Sequence, residues 1–291
     1  AIDAFNQALS LKPNYSVTYL NIGMCFKEKG ELDKAMEFYK HSLSLDPNYV
    51  EAYNCLGDAL IEQGELEKAI NTYKRSILLN PDYAEAYNNI GVALQDQDKL
   101  DEAIEAYEKA LSLEPENAEL HRNIANAFND QGKFDKAIES YNKALSLKPD
   151  YAEAYNNLGV TLHNLNKFDK AIKTYNLAIS LKPDYAEALN NKGITFQAQG
   201  NNEEAIRCYN RAILLKPNFF QTYNNLGLTY QNQGNLDEAI IAYKKALSIK
   251  PDYADAYNNM GITFQDLYKL EDAIDAQSKA IALKPDYAEA Y

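Results

Sequence analysis

The chain has 291 residues, 29 Lys and Arg against 42 Asp and Glu, a formal net charge of −13, and 46% hydrophobic residues without a tryptophan. That balance argues against a nucleic-acid ligand, because a phosphate backbone is held by clustered Lys and Arg. No apolar run approaches the ~18 residues of a membrane span, the opening AIDAFNQALS lacks the basic and apolar regions of a leader, and three scattered cysteines give no disulfide framework. The chain is therefore expected to be soluble, off the membrane and, by default, cytoplasmic.

The predicted elements follow from the prolines. Nine of them, from Pro13 to Pro285, stand at a constant interval of 34 residues. A period of that length signals a stacked repeat, in which each unit buries its apolar face only against its neighbours. Residues 1–15 make a partial repeat, eight complete repeats fill 16–287, and 288–291 begin another, which gives a single array over 1–291. The first residue falls in mid-repeat, so a longer chain is expected.

Within the repeat that starts at Pro149, Tyr155, Leu158, Gly159 and Leu162 follow an i, i+3, i+4, i+7 pattern, and Phe168, Ala171, Ile172, Tyr175, Ala178 and Ile179 continue it. The spacing predicts two amphipathic helices per repeat. Asp150 and Glu153 have the spacing of a capping box for the first helix, and Pro183 ends the second. Between the helices a glycine such as Gly132, Gly200 or Gly234 suits a left-handed turn, while Asp98, Asn166 and Tyr268 replace it elsewhere. Tyr268 suits that conformation poorly.

The period of 34, the aromatic–x2–aliphatic–Gly of the first helix, the second-helix alanine and the closing proline together resemble the tetratricopeptide repeat, over the whole chain. The alanine recurs from Ala1 and Ala35 to Ala239 and Ala273, and the first-helix small residue from Gly23 to Gly261, with Ala125 once. These small residues are expected to let two helix backbones approach closely. The resemblance implies an all-α α-solenoid, a right-handed superhelix of antiparallel helix pairs with the first helices on the concave wall.

Twenty-one of the 23 tyrosines recur at three repeat positions, as at Tyr151, Tyr155 and Tyr175, which marks them as packing residues; Tyr230 and Tyr268 are left over. His41, His121 and His163, like Cys25, Cys55 and Cys208, occupy scattered repeat positions. No nucleophile–base pair, metal ligand set or phosphate-cradling glycine loop is suggested, so no catalytic residue, metal or cofactor is expected.

What remains is the first-helix stripe opposite the packed face. Eight residues after each proline stand Asn21, Cys55, Asn89, Asn123, Asn157, Asn191, Asn225 and Asn259. Asparagine is a mediocre helix former, so its recurrence asks for a reason. One reason is that a side-chain amide can pair with both the C=O and the N–H of an extended peptide. The series is similar to the asparagine ladder in the tetratricopeptide region of protein O-linked N-acetylglucosamine transferase, and that resemblance implies peptide binding. The alternatives are that each asparagine bonds a neighbouring repeat, or that duplication copied a neutral residue. A second series, Asn54, Asn88, Asn156, Asn190, Asn224 and Asn258, lies one residue earlier and is expected at the groove edge.

The same stripe carries Glu51, Glu85, Glu119, Glu153, Glu187 and Asp255, with an apolar line that includes Val92, Val160, Ile194, Leu228 and Ile262. Such a groove favours neutral or basic peptides. Because only Arg122 stands near it as a cation, the acidic-tail clamps of other tetratricopeptide modules are disfavoured. The glutamates serve equally as residues of the first helical turn. Three functions follow: a non-enzymatic scaffold holding an extended peptide, the substrate-selecting arm of a larger glycosyltransferase-like enzyme, or a solenoid that self-associates through uncapped ends.

Overall fold

The computed structural model describes residues 2–285. Ala1, Tyr287, Tyr291 and the repeat expected to begin at 288 lie outside the described residues. Two compact units divide the chain, Ala1–Pro149 and Asp150–Tyr291, with the border at a repeat proline.

Unit one holds a leading second helix, α1 (Ile2–Leu11), then first helices α2 (Ser16–Glu28), α4 (Val50–Glu62), α6 (Ala84–Asp96) and α8 (Ala118–Asp130). These alternate with second helices α3 (Leu32–Leu45), α5 (Leu66–Leu79), α7 (Leu100–Leu113) and α9 (Phe134–Leu147). In unit two the first helices are α10 (Ala152–Asn164), α12 (Ala186–Ala198), α14 (Phe220–Asn232) and α16 (Ala254–Asp266). Their partners are α11 (Phe168–Leu181), α13 (Asn202–Leu215), α15 (Leu236–Ile249) and α17 (Leu270–Leu283). The all-α solenoid expected from the period is thus the architecture observed.

The helix ends are set locally. Lys148 and Lys182, each before a proline, are extended at φ −133° and −132°, as the proline ring requires of its predecessor. Gly132, Gly200 and Gly234 turn at φ between 72° and 78°, and Asp98, Asn166 and Tyr268 accept the same left-handed region at 60°, 56° and 57°. Tyr268 is 89% exposed there. The capping box expected at Asp150 and Glu153 does not form: the residue capping α10 is Tyr151, and no side chain bonds the free amides. Among the described helices Asn117 does cap α8, through Glu119 N and Leu120 N, and Asn201 caps α13 through Glu204 N.

The core repeats with the sequence. The second-helix alanines Ala35, Ala69, Ala103, Ala137, Ala171, Ala205 and Ala239 are fully buried, and so are Tyr39, Tyr107, Tyr209 and Tyr243 one turn later. These tyrosines explain the first-helix glycine. A Cβ on Gly159 or Gly193 would sit 2.5 Å from Cε1 of Tyr175 or Tyr209, and one on Gly57 would enter the ring of Tyr73. The small residue therefore admits an aromatic ring in addition to a close backbone approach, since a Cβ on Gly23 would also lie 3.0 Å from Ala35 O. Gly261 faces Gln277 Cγ at 2.8 Å, because Gln277 stands where the other repeats have tyrosine.

First helices of successive repeats also touch, α2 with α4, α4 with α6 and α6 with α8, and likewise α10 with α12, α12 with α14 and α14 with α16. Second helices make no comparable approach to one another among the described residues. Within each unit the first helices therefore line the tighter, concave side.

Candidate functional site

Within each unit, asparagines on neighbouring first helices bond one another. In unit two, Asn191 Nδ2 donates to Asn156 Oδ1 at 3.1 Å, Asn225 Nδ2 to Asn190 Oδ1 at 3.1 Å, and Asn259 Nδ2 to Asn224 Oδ1 at 3.1 Å. In unit one, Asn89 Nδ2 reaches Asn54 Oδ1 at 3.4 Å and Asn123 Nδ2 reaches Asn88 Oδ1 at 2.8 Å. Each bond crosses from one repeat to the one before it. In three of the first helices the earlier asparagine donates to the later, from Asn88 to Asn89 at 3.1 Å, Asn156 to Asn157 at 3.1 Å and Asn190 to Asn191 at 3.5 Å.

The earlier series is accordingly not at the groove edge. Asn54, Asn156, Asn190, Asn224 and Asn258 are between 4% and 7% exposed, sealed between first helices. A buried amide is costly unless bonded, and Asn54, Asn156, Asn190 and Asn224 meet that need through the next repeat. Asn258 Oδ1, the acceptor next in the series, has no partner among the described residues. The later series, Asn21, Asn89, Asn157, Asn191, Asn225 and Asn259, is half-buried, with Asn123 buried.

The one cysteine of the later series has its explanation in the same pattern. Cys55 stands 35 residues after Leu20, the interval that separates each bonded asparagine pair, and Leu20 replaces asparagine in the earlier series. Leu20 is 5% exposed in an apolar cluster against which Cys55 packs. At Leu20 and Cys55 both asparagines of the pair are replaced, whereas at Arg122 only the earlier one is, Asn157 being kept 35 residues on.

Unit one carries more polar partners. Asn89 Nδ2 also donates to Asp58 Oδ1 at 3.0 Å, Tyr73 donates to the same oxygen at 2.7 Å, and Lys27 Nζ lies 4.0 Å from Asp58 and 3.1 Å from Glu62. Burial raises the Asp58 pKa above its ordinary value, although the Tyr73 hydroxyl and Lys27 pull it down. Burial raises the Cys55 thiol to about 11, with Asp58 adding to the rise. Arg122 donates twice to Asn123 Oδ1, at 2.8 and 3.3 Å. Asn88 and Asn89 line a cleft of about 370 Å³ with Glu85, Glu114, Asn117 and Glu119.

The glutamates of the stripe are mostly spoken for. Glu85 accepts from Asn54 and from Tyr83, Glu153 lies 3.6 Å from Lys182, and Glu187 lies 2.6 Å from Lys216. The Lys216 bond holds the Glu187 carboxyl below its ordinary range. The buried second-helix tyrosines reach the same wall from behind: Tyr107, Tyr209 and Tyr243 donate to Gln95, Gln197 and Gln231, and Tyr141 to Asn126. Tyr39 finds Met24 and Lys27 at those places, and its hydroxyl has no partner. The sequence placed these tyrosines in packing but did not show their hydroxyl partners, which a 12- or 15-residue spacing to Gln, Asn or Asp would have indicated. His163 Nδ1 lies 2.9 Å from Thr195 Oγ1, and burial lowers its pKa. No group of three metal-ligating side chains and no helix long and apolar enough to cross a membrane occurs among the described residues.

A helical repeat stack whose concave wall is lined by hydrogen-bonding side chains defines a class, the α-solenoid interaction scaffold. The chain belongs to the tetratricopeptide-repeat family. A family model described as the Cilia and flagella-associated protein 70 C-terminal domain matches residues 1–192, and models described as TPR repeat and tetratricopeptide repeat match 196–234, 220–253 and 242–275. A chain in the crystal structure of the APC/C hetero-tetramer Cut9-Hcn1 is similar in fold, with a TM-score of 0.67 and 22% identity over 89% of this chain and 51% of that one. This chain thus spans about half the length of that neighbour. None of the curated proteins matches. The narrower likeness to the transferase array is not among what these matches show. At the coarse level, the chain is a protein–protein interaction scaffold.

Proposed function

We propose that the concave wall holds an extended polypeptide by its backbone, through Asn21, Asn89, Asn123, Asn157, Asn191, Asn225 and Asn259. What carries the reading is the hydrogen-bond balance of unit two. A side-chain amide has two donor hydrogens and two acceptor lone pairs. Asn191 uses one hydrogen on Asn156 and one lone pair on Asn190, which leaves one of each, the complement of a peptide C=O and N–H. The bonds already made fix the amide plane, so little ordering entropy remains to be lost on binding. In unit one Asn89 has spent both hydrogens and Asn123 Oδ1 takes two from Arg122, so the grip is stronger in unit two.

The chain's excess of 13 negative charges favours a neutral or basic peptide. The description of the family matched over 1–192 makes ciliary and flagellar proteins the first place to look for it.

The Leu20–Cys55 pair supplies the test. Asn156→Leu with Asn191→Cys, together with Asn224→Leu and Asn259→Cys, copies a natural packing solution while removing both amides of two rungs. Affinity for a soluble Ser/Thr-rich peptide carrying lysines should fall by about tenfold or more, at about 1 kcal/mol per hydrogen bond lost, with the helical circular dichroism retained. Unaltered affinity in a folded variant would rule out the groove.

A further inference from the structure

Asn88 and Asn89 share the wall of their cleft of about 370 Å³ with Glu85, Glu114, Asn117 and Glu119, and no basic side chain lines it among the described residues. The repeats of unit two show what this register holds elsewhere. Glu153, four residues after its proline, lies 3.6 Å from Lys182, and Glu187 lies 2.6 Å from Lys216; each lysine is the residue just before the next proline. Lysine stands before six of the nine prolines, and Glu114 is the one glutamate at that place. Its register partner is Glu85, so in this repeat a second carboxylate stands where an ammonium meets the first in others.

Neutral donors hold the two carboxylates in place without cancelling their charge. Asn54 and Tyr83 donate to Glu85 at 3.0 and 2.8 Å, and Asn117 Nδ2 donates to Glu114 at 2.8 Å. Arg122 lies 3.5 Å from Glu119 but gives two hydrogens to Asn123. Carboxylates that line one cleft repel each other, and a lysine at 114 would relieve this as Lys182 and Lys216 do in their own repeats. Building on the groove reading above, we propose that this cleft takes a lysine side chain of the bound polypeptide, its ammonium filling the place that Lys182 and Lys216 fill elsewhere. Asn89 belongs to both the ladder and the cleft, so a peptide laid on the wall has its side chains at the cleft's mouth. Unit one thereby reads a side chain where unit two holds backbone.

Exchanging the missing cation between protein and peptide tests this in the full chain. Glu114→Lys rebuilds the ion pair of the sister repeats and fills the cleft with the protein's own ammonium. Glu116→Lys makes the same change of charge two residues away, outside the cleft lining. Glu85→Gln with Glu114→Gln removes both charges and adds none. The probes are a Ser/Thr-rich peptide with one central lysine and the same peptide acetylated at that lysine, titrated by fluorescence anisotropy, with circular dichroism reporting the fold. The unaltered chain should prefer the free lysine by about fivefold, the effect of a well-placed exposed ion pair. Glu114→Lys and the double glutamine variant should bring that preference close to one, and Glu116→Lys should keep most of it. No preference in the unaltered chain, a preference that survives both cleft variants, or an equal loss in Glu116→Lys overturns the cleft and leaves the groove standing. Binding of neither peptide overturns the groove reading and the cleft with it.

Discussion

Asp58 shows how one side chain can work against the fold that buries it. It stands where other repeats carry Val92, Val160 or Ile194, and where the repeat of α8 carries Asn126. Tyr73 donates to Asp58 as Tyr141 donates to Asn126, so the tyrosine needs an acceptor and not a charge. Because burial raises the folded-state pKa, the folded chain binds a proton here before the unfolded chain does as pH falls. Asp58 therefore detracts from stability at neutral pH, and the deficit disappears as pH drops through the raised pKa towards its ordinary 3.8. Asp58→Asn should leave stability at pH 7 equal or higher and flatten its dependence in that window, as urea melts at several pH values would show. A variant less stable at pH 7 would mean that the Lys27 contact outweighs the burial.

At the scale of the helix, the pairing rule between repeats makes a sharper prediction. Leu20→Asn alone places an amide against Cys55, and Cys55→Asn alone places one against Leu20. Each should cost about 1–3 kcal/mol. The double substitution rebuilds the rung seen at Asn54 and Asn89 and should recover about 1–2 kcal/mol of the summed loss in a double-mutant cycle. Additive losses would show that the pair is not coupled.

The sequence made much of this element legible. Period, helix spacing and the small turn residues gave the helix pairs, while Tyr268, poorly suited to the left-handed turn, adopts it all the same at φ 57°. It did not reveal that Tyr151 precedes the first helical residue, because the cap is set by backbone angles that Asp150 and Glu153 do not announce. Nor did it place Asn156 and Asn190 correctly. A helical wheel assumes one packed face, whereas a first helix such as α4 touches α2, α3, α5 and α6 and buries a wider arc. The asparagine series was visible as a series; which neighbour each amide would bond was not, since residues 35 apart meet only once the repeats stack.

Among the described residues of each unit, the main contacts between elements join those next or next but one in sequence, so stability is a sum of repeat and neighbour terms within each unit. Charge is the property that acts at this scale. With a net charge of −13, the affinity of the lysine-bearing probe should fall as salt rises from about 0.05 to 0.5 M, because the screening length shrinks to a few ångströms. A neutral Ser/Thr peptide should change much less, because its bonds to Asn191 or Asn225 are short-ranged. Equal salt dependence of the two titrations would discount the charge preference.

The paired ladder also bears on how the array can grow and shrink during evolution. Losing one period between Asn156 and Asn225 would bring together the same kind of residues as before, so duplications and deletions there leave no mark on the wall. Losing the period after Leu20 would set Leu20 against Asn89 and strand an amide. Repeat number should therefore drift freely where the rungs are identical and be held where the Leu20–Cys55 pair interrupts them.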